Sequence, residues 1–364
     1  MNIIVAWFRR ILSDPQAVIL GVILLVGFAI IFFLGHALAP VIAAVVIAYL
    51  LEGVVNFLER WHVPRLAAVL IVFSTFMVFF IYALGVLLPL LSQQLTQFIR
   101  ELPNMIAQGQ ELLMRLPERY PEFVSEALMR ELIAAIRAQV GAWGQEVLTR
   151  SLAFIPDLIT LTVYLFLVPL LVFFFLKDKD LMVTWLSEFL PRERTLARRV
   201  WHEVNEQISN YIRGKFVEII IVALASYIAF TYMGLNYAML LAVLVGLSVI
   251  VPYIGALVVT IPVAMVAYFQ WGWGSDFAYT LGIYILIQVI DGNLLVPLIF
   301  SEAVNLHPVA IIVAVLVFGE LWGFWGVFFA IPLATLVKAV ISAWPRASQE
   351  MAEEAPEAMQ TAPS

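Results

Sequence analysis

The sequence contains no cysteine. That excludes disulfide bridges and thiolate metal sites and says nothing of redox compartment. Charge is scarce too. Asp, Glu, Lys and Arg make up 13% of the 364 residues, against 63% hydrophobic, where a soluble domain carries about 25% charged residues. So few charges cannot cover a globule in water. The four histidines, His36, His62, His202 and His307, are scattered and offer no i, i+4 pair for zinc. A net charge of −6 gives no footing for nucleic acid. H-E-x-x-H, G-x-S-x-G and phosphate-cradling Gly-Lys patterns are missing, which argues against an enzyme, an intramembrane protease included. No cofactor or metal is implied. Without a nucleotide site, a transporter would draw on an ion gradient or on its substrate's own gradient.

What the chain has in abundance is apolar length. Runs lie near 17–34, 39–58, 66–91, 153–176, 216–233 and 277–299. Several reach the roughly 20 residues that a helix needs to cross a bilayer. They lack strict alternation, so helices are expected rather than a barrel. Two further regions, 238–270 and 309–343, are interrupted by Gly and Pro and read as broken helical pairs. The expectation is an all-α, polytopic integral membrane protein of about eight transmembrane helices, two broken or re-entrant pairs among them, plus amphipathic helices. Its main partner is then the lipid bilayer. The N-terminus imitates a signal peptide, with Arg9, Arg10, the 17–34 run and Ala37-Leu38-Ala39. Pro40 follows the would-be cleavage site and more spans follow it, so an uncleaved first helix is expected.

The segments expected in order are 1–91 with three spans, 92–152 as a polar extracytoplasmic helical segment, 153–176 as a fourth span, 177–215 as a cytoplasmic amphipathic helix, 216–343 as the C-terminal core, and 344–364 as a disordered cytoplasmic tail rich in Ala, Glu and Pro. Leu196, Val200, Val204 and Ile208 repeat every four residues and supply the apolar face of the 177–215 helix. Pro103, Pro117 and Pro121 are expected to divide the 92–152 segment into short helices. Basic residues near span ends favour the cytoplasm, which places both termini inside. The two broken pairs then enter from opposite sides. Gly255-Ala-Leu-Val-Val-Thr-Ile-Pro262-Val-Ala matches Gly326-Val-Phe-Phe-Ala-Ile-Pro332-Leu-Ala with one residue deleted. An inverted repeat around a central site has that form. Chance is the alternative, since Gly, Ile, Pro and Ala are common in membrane helices.

Charge inside hydrocarbon is costly, about 2.5–3.5 kcal/mol for a central Asp on insertion scales. Asp291 lies well inside 277–299, with Gln288, Asn293 and Pro297 nearby. Gln288 and Asp291 are three residues apart and share a helical face. Pro297 deprives a carbonyl near Asn293 of its helical donor. Such a group could bind a cation, a proton or a polyhydroxyl solute; the alternative is an Asp that fixes helix packing. Glu218 follows Arg213 and Lys215 and is either a functional acid or an interfacial acid paired with one of them. Glu320 lies between Gly319 and Gly323 at an expected hairpin tip, buried or facing water according to the depth of that tip. Tyr253 could offer its hydroxyl to a substrate. Pro252, Gly255, Pro262, Pro297 and Pro332 are the expected helix breaks. His307, before Pro308, reads as a helix cap rather than a proton shuttle. Trp271, Trp273, Trp322 and Trp325 fit interfacial belts.

Five motifs occur in order. They are Tyr211-Ile-Arg-Gly214-Lys215, Val251-Pro252-Tyr253-Ile254-Gly255 with Ile261-Pro262, Gln288-x-x-Asp291-x-Asn293-x-x-x-Pro297, Leu306-His307-Pro308, and Gly319-x-x-x-Gly323-x-x-Gly326 ending at Ile331-Pro332. Together they resemble the autoinducer-2 exporter family of permeases. The resemblance implies a bacterial inner-membrane protein, with export of a small signalling molecule in some members and sodium/proton antiport in others, and it leaves a homo-oligomer open. That family usually holds Glu where this chain has Asp291, which keeps the charge and shortens its reach. The leading expectation is a permease for a small polar solute, with export of a molecule such as autoinducer-2 as one form. The second is a sodium(lithium)/proton antiporter using Asp291, with Glu218 or Glu320. The third is a membrane scaffold without transport.

Overall fold

In the computed structural model, residues 15–114, 131, 133–135, 154–188, 195–300 and 306–343 are described. The tail after Trp344, Pro117, Pro121 and most of 115–153 lie outside them. Helices follow one another as α1 (Pro15–Arg60), α2 (Arg65–Tyr82), a π-helical turn (Ala83–Leu87), α3 (Leu88–Met114), α4 (Phe154–Lys177), α5 (Lys179–Glu188), α6 (Thr195–Met233), α7 (Ala238–Ser248), α8 (Ile254–Trp271), α9 (Ser275–Ile290), a second π-helical turn (Asp291–Leu295), α10 (Val296–Phe300), α11 (Pro308–Phe328) and α12 (Ala330–Ala343). No strand occurs among the described residues. Among the described residues, six stretches are long and apolar enough to cross a membrane. The protein is all-α and polytopic.

Four expected boundaries are absent. The runs 17–34 and 39–58 lie on one continuous helix, because Pro40 removes a single hydrogen bond without ending α1. Pro103 likewise lies inside α3. The span begun by α2 runs on through the π-helical turn as one apolar-to-polar stretch, Arg65–Glu111, of 47 residues. At 1.5 Å per residue that is about 70 Å, more than twice a bilayer core, so its polar end projects beyond the lipid. The amphipathic 195–215 stretch also continues without interruption into the following span as α6.

The chain divides into two compact units, Met1–Ala39 with Asp178–Gly214 and Phe300–Ser364, and Pro40–Lys177 with Lys215–Ile299. The second holds two cores. Lipid tails are as apolar as leucine, so membrane helices associate through close packing and small residues rather than through water expulsion. In one core, Ala44 and Ala48 of α1 and Ala68 of α2 let α4 approach with Val168, Val172 and Leu176. Phe73 meets Phe173 edge-on, with ring centroids 5.2 Å apart. Arg65 closes one end of this core. Its guanidinium lies 3.3 Å from Glu52 and 3.5 Å from Glu59, and it donates to the Leu176 carbonyl at 3.2 Å. Arg65→Ala would remove one ionic partner of the buried Glu52 carboxylate. We expect a loss of about 1–3 kcal/mol, read as a lower unfolding temperature in detergent; an unchanged temperature would show that the clasp contributes nothing.

The other core is built by α6, α7, α8 and α9 around Val222, Phe230, Val245, Val263 and Tyr284. Here Gly246 of α7 lies against α6. A Cβ on it would sit 2.6 Å from that of Ala223 and 2.9 Å from the Ile219 carbonyl oxygen. This close approach brings the end of α7 beside the charged stretch of α6.

Candidate functional site

On α6, Lys215, Glu218, Val222, Ser226 and Phe230 recur every three or four residues and are all buried. On α9 and the turn after it, Thr280, Tyr284, Gln288 and Asp291 recur in the same way. The helical period therefore points one face of each helix inward. Phe230 and Tyr284 touch across the two helices, with ring centroids 6.5 Å apart. Tyr284 donates its hydroxyl to the Ala256 carbonyl at 2.9 Å and lies 3.0 Å from Thr260 Oγ1.

The charged groups lie further along these faces. Lys215 Nζ is 2.7 Å from Glu218 Oε2, and the two side chains are 5% and 2% exposed. Nζ also donates to the Val249 carbonyl at the end of α7, at 2.8 Å. Asp291 is 8% exposed, and its charge interacts with those of Lys215 and Glu218. Two carboxylates thus share the neighbourhood of one ammonium. Among the described residues, Asp291 Oδ1 and Gln288 Nε2 are buried without a hydrogen-bond partner, as are the hydroxyls of Ser226 and Thr280. Buried polar groups are ordinarily satisfied. An orphaned acceptor and an orphaned donor one helical turn apart are groups for a ligand to complete.

Asp291 opens the π-helical turn, where the Val296 N–H reaches back to the Asp291 carbonyl. Pro297 follows and has no N–H to give, which is the local cause of the widened turn. Asn293 turns its amide to the Val289 carbonyl at 2.9 Å and is exposed. It shapes the turn rather than the charged cluster.

The remaining expected residues are distributed differently. Pro252 and Tyr253 form the bend between α7 and α8. Tyr253 is 62% exposed. It has φ 63° and ψ −51°, and Ile254 N–H bonds to the Pro252 carbonyl at 2.7 Å. This is the γ-turn with positive central φ, a rare and strained form. Tyr253→Gly removes the strain and little contact. We expect stability to hold or to rise by about 1 kcal/mol, whereas Tyr284→Ala in the core should cost about 3–5 kcal/mol. A clear loss at Tyr253 in the same thermal assay would show that its ring has a packing role.

Gly255 lies at the bend, as expected, but Pro262 and Pro332 break nothing. They lie inside α8 and α12. Pro332 occupies a first turn, where its missing N–H has no helical partner to lose. In the other unit, the break falls at Gly323, with φ 59° and ψ −133°. Glu320, three residues before it, is exposed. His307 caps α11, its Nδ1 accepting from Val309 N–H at 3.3 Å. Glu218 does pair with Lys215, but in the interior rather than at an interface. Lys215 itself is the residue that sequence reasoning passed over as a site member. Its signal was available in the buried spacing 211, 215, 218, 222.

The family described as AI-2E family transporter matches residues 20–346. The chain belongs to the AI-2E transporter family. It is 50% identical to "Putative permease PerM" of Escherichia coli (strain K12) over 345 residues, covering 95% of this chain and 98% of that one. It is 25% identical to "Putative transport protein YueF" of Bacillus subtilis (strain 168), covering 84% of each. It is also 25% identical to "AI-2 transport protein TqsA" of Escherichia coli (strain K12), covering 88% of this chain and 92% of that one. The AI-2E family is one of permeases and transporters rather than enzymes, and this member is a multi-pass membrane protein.

Proposed function

We propose that this chain is a permease for a small, uncharged, hydroxyl-bearing solute, bound between Asp291 and Gln288. The observation that carries this reading is the orphaned pair, Asp291 Oδ1 and Gln288 Nε2. A hydroxyl donates and accepts at once, so one solute hydroxyl satisfies both atoms. A bare cation would satisfy the carboxylate and leave the amide donor unpaired. TqsA is named for transport of autoinducer-2, which makes a small polyhydroxylated signalling molecule one candidate within this class. On this reading the protein lies in the bacterial inner membrane with both termini in the cytoplasm.

Cation/proton antiport is the second reading. Glu218 favours it, because a second buried carboxylate sharing Lys215 with Asp291 provides another titrating group. The test uses purified protein in liposomes. Flux of labelled polyhydroxyl solutes down their own gradient, reduced about 10–100-fold in Asp291→Asn, supports the permease. A change of lumen pH on adding sodium, without solute flux, overturns it and supports antiport. Neither signal, from folded protein, leaves the scaffold reading.

A further inference from the structure

We infer that Lys215 is a positioning residue that ties the carboxylate pair to the bend of the α7–α8 hairpin, so that the bend responds to the charge at Glu218. The ammonium of Lys215 is shared between two kinds of partner. One is the Glu218 carboxylate at 2.7 Å. The other is the Val249 carbonyl at 2.8 Å, the cap residue of α7. The C-terminal end of a helix carries partial negative charge and a set of unpaired carbonyls, so an ammonium there is held by both dipole and hydrogen bond. Val249 begins the bend. Ile250 and Val251 N–H groups turn back to the Leu247 and Ser248 carbonyls at 3.1 Å each, and the strained Tyr253 follows with φ 63°.

A strained bend persists only while its surroundings hold it. Here one holding group is a lysine whose other partner is a site carboxylate. Lys215 is 4% exposed, so its charge needs a nearby counter-ion. While Glu218 is ionised, Lys215 is fixed between it and Val249. If Glu218 loses its charge, the Asp291 carboxylate draws the ammonium toward itself. Moving to Asp291 takes the ammonium off the Val249 carbonyl. The bend then loses a charge-assisted hydrogen bond while retaining its strain. Loss of charge at Asp291 has no such effect, since Lys215 keeps both present partners. The inference rests on the reading above only in taking Glu218 and Asp291 as site groups, and its test requires no transport.

The absence of cysteine permits two nitroxide labels, at Tyr253→Cys on the bend and Tyr232→Cys near the end of α6. Both positions are exposed, at 62% and 87%. Pulsed electron resonance then reads the distance distribution between them in membranes. With the charged residues intact, a single narrow distribution is expected. Glu218→Gln and Lys215→Met should each broaden it about twofold as a second bend conformation becomes populated. The double variant should be no broader than either single, because both break one linkage. Asp291→Asn should leave it narrow. A lysine that merely caps α7 would respond to Lys215→Met and ignore Glu218→Gln, and that result overturns the inference. So does broadening that adds in the double variant. If Lys215→Met fails to fold because it strands the Glu218 charge, Glu218→Gln, which leaves Asp291 near the ammonium, decides alone. Broadening there upholds the linkage, and a narrow distribution overturns it. Either failure leaves the permease reading untouched, because solute flux is measured separately.

Discussion

Gly255→Ala should disable the α7–α8 hairpin. A Cβ at this position would collide with the Ser248 carbonyl oxygen and carbon, with Ser248 Cα 3.1 Å away. All three are backbone atoms, so no side chain can rotate aside. The α8 backbone would have to move off the end of α7. That motion also disturbs Val249, whose carbonyl receives Lys215, and the adjacent contact of Gly246 on Ala223. Overpacking in a close-packed interior costs about 1–3 kcal/mol where neighbours can adjust. With backbone on both sides the loss should reach the top of that range or exceed it. A cooperative unfolding transition in detergent should fall by many degrees, or folded protein should be absent. Gly282→Ala is the control, since nothing lies within 4 Å of its added Cβ. Equal transitions for the two variants would show that the hairpin is not held by this contact. Gly326→Ala, in the other unit, should behave like Gly255→Ala, because its Cβ would meet the Phe318 carbonyl oxygen and carbon.

These two glycines show how much was legible in advance. The sequence match between the segments beginning at Gly255 and Gly326 pointed to a repeated element in the two broken pairs. In the structure each glycine is where the returning limb touches the backbone of the outgoing one. The helical class and the polar stripe Gln288–Asp291 were legible too, since hydropathy and a 3.6-residue period carry them. Continuity was not. Pro103 and Pro262 read as interruptions and the runs 17–34 and 39–58 as two spans, yet Pro40, Pro103 and Pro262 each lie within a helix, because a helix tolerates one lost hydrogen bond when its neighbours pack well. Depth was not legible either. Glu218 followed two basic residues and read first as an interfacial acid paired with one of them, whereas the close seat of α7 on Ala223 buries it with Lys215. The strained turn at Tyr253 gives no sequence signal, since tyrosine is not a residue that positive φ selects.

Asp291→Asn should leave the fold intact and reduce transport. Asparagine keeps the shape of the side chain and its capacity to accept, and takes away one charge. In the present arrangement two carboxylates share the neighbourhood of Lys215, and an oxygen of Asp291 has no hydrogen-bond partner. A buried charge without full pairing destabilises the protein that holds it. The substitution should therefore hold or raise the unfolding temperature. For the solute the consequence is opposite. A hydrogen bond to a charged group contributes about 1.5–3 kcal/mol, so its loss should reduce flux by about 10–100-fold, at roughly 1.4 kcal/mol per tenfold. A packing role for Asp291 predicts the reverse on both measurements. The amide would then lose a structural bond and lower the unfolding temperature, while any flux would continue through a site that never used the carboxylate. Measuring both quantities on one preparation separates the two accounts, since stability gained with function lost is the mark of a group kept for its work rather than for the fold.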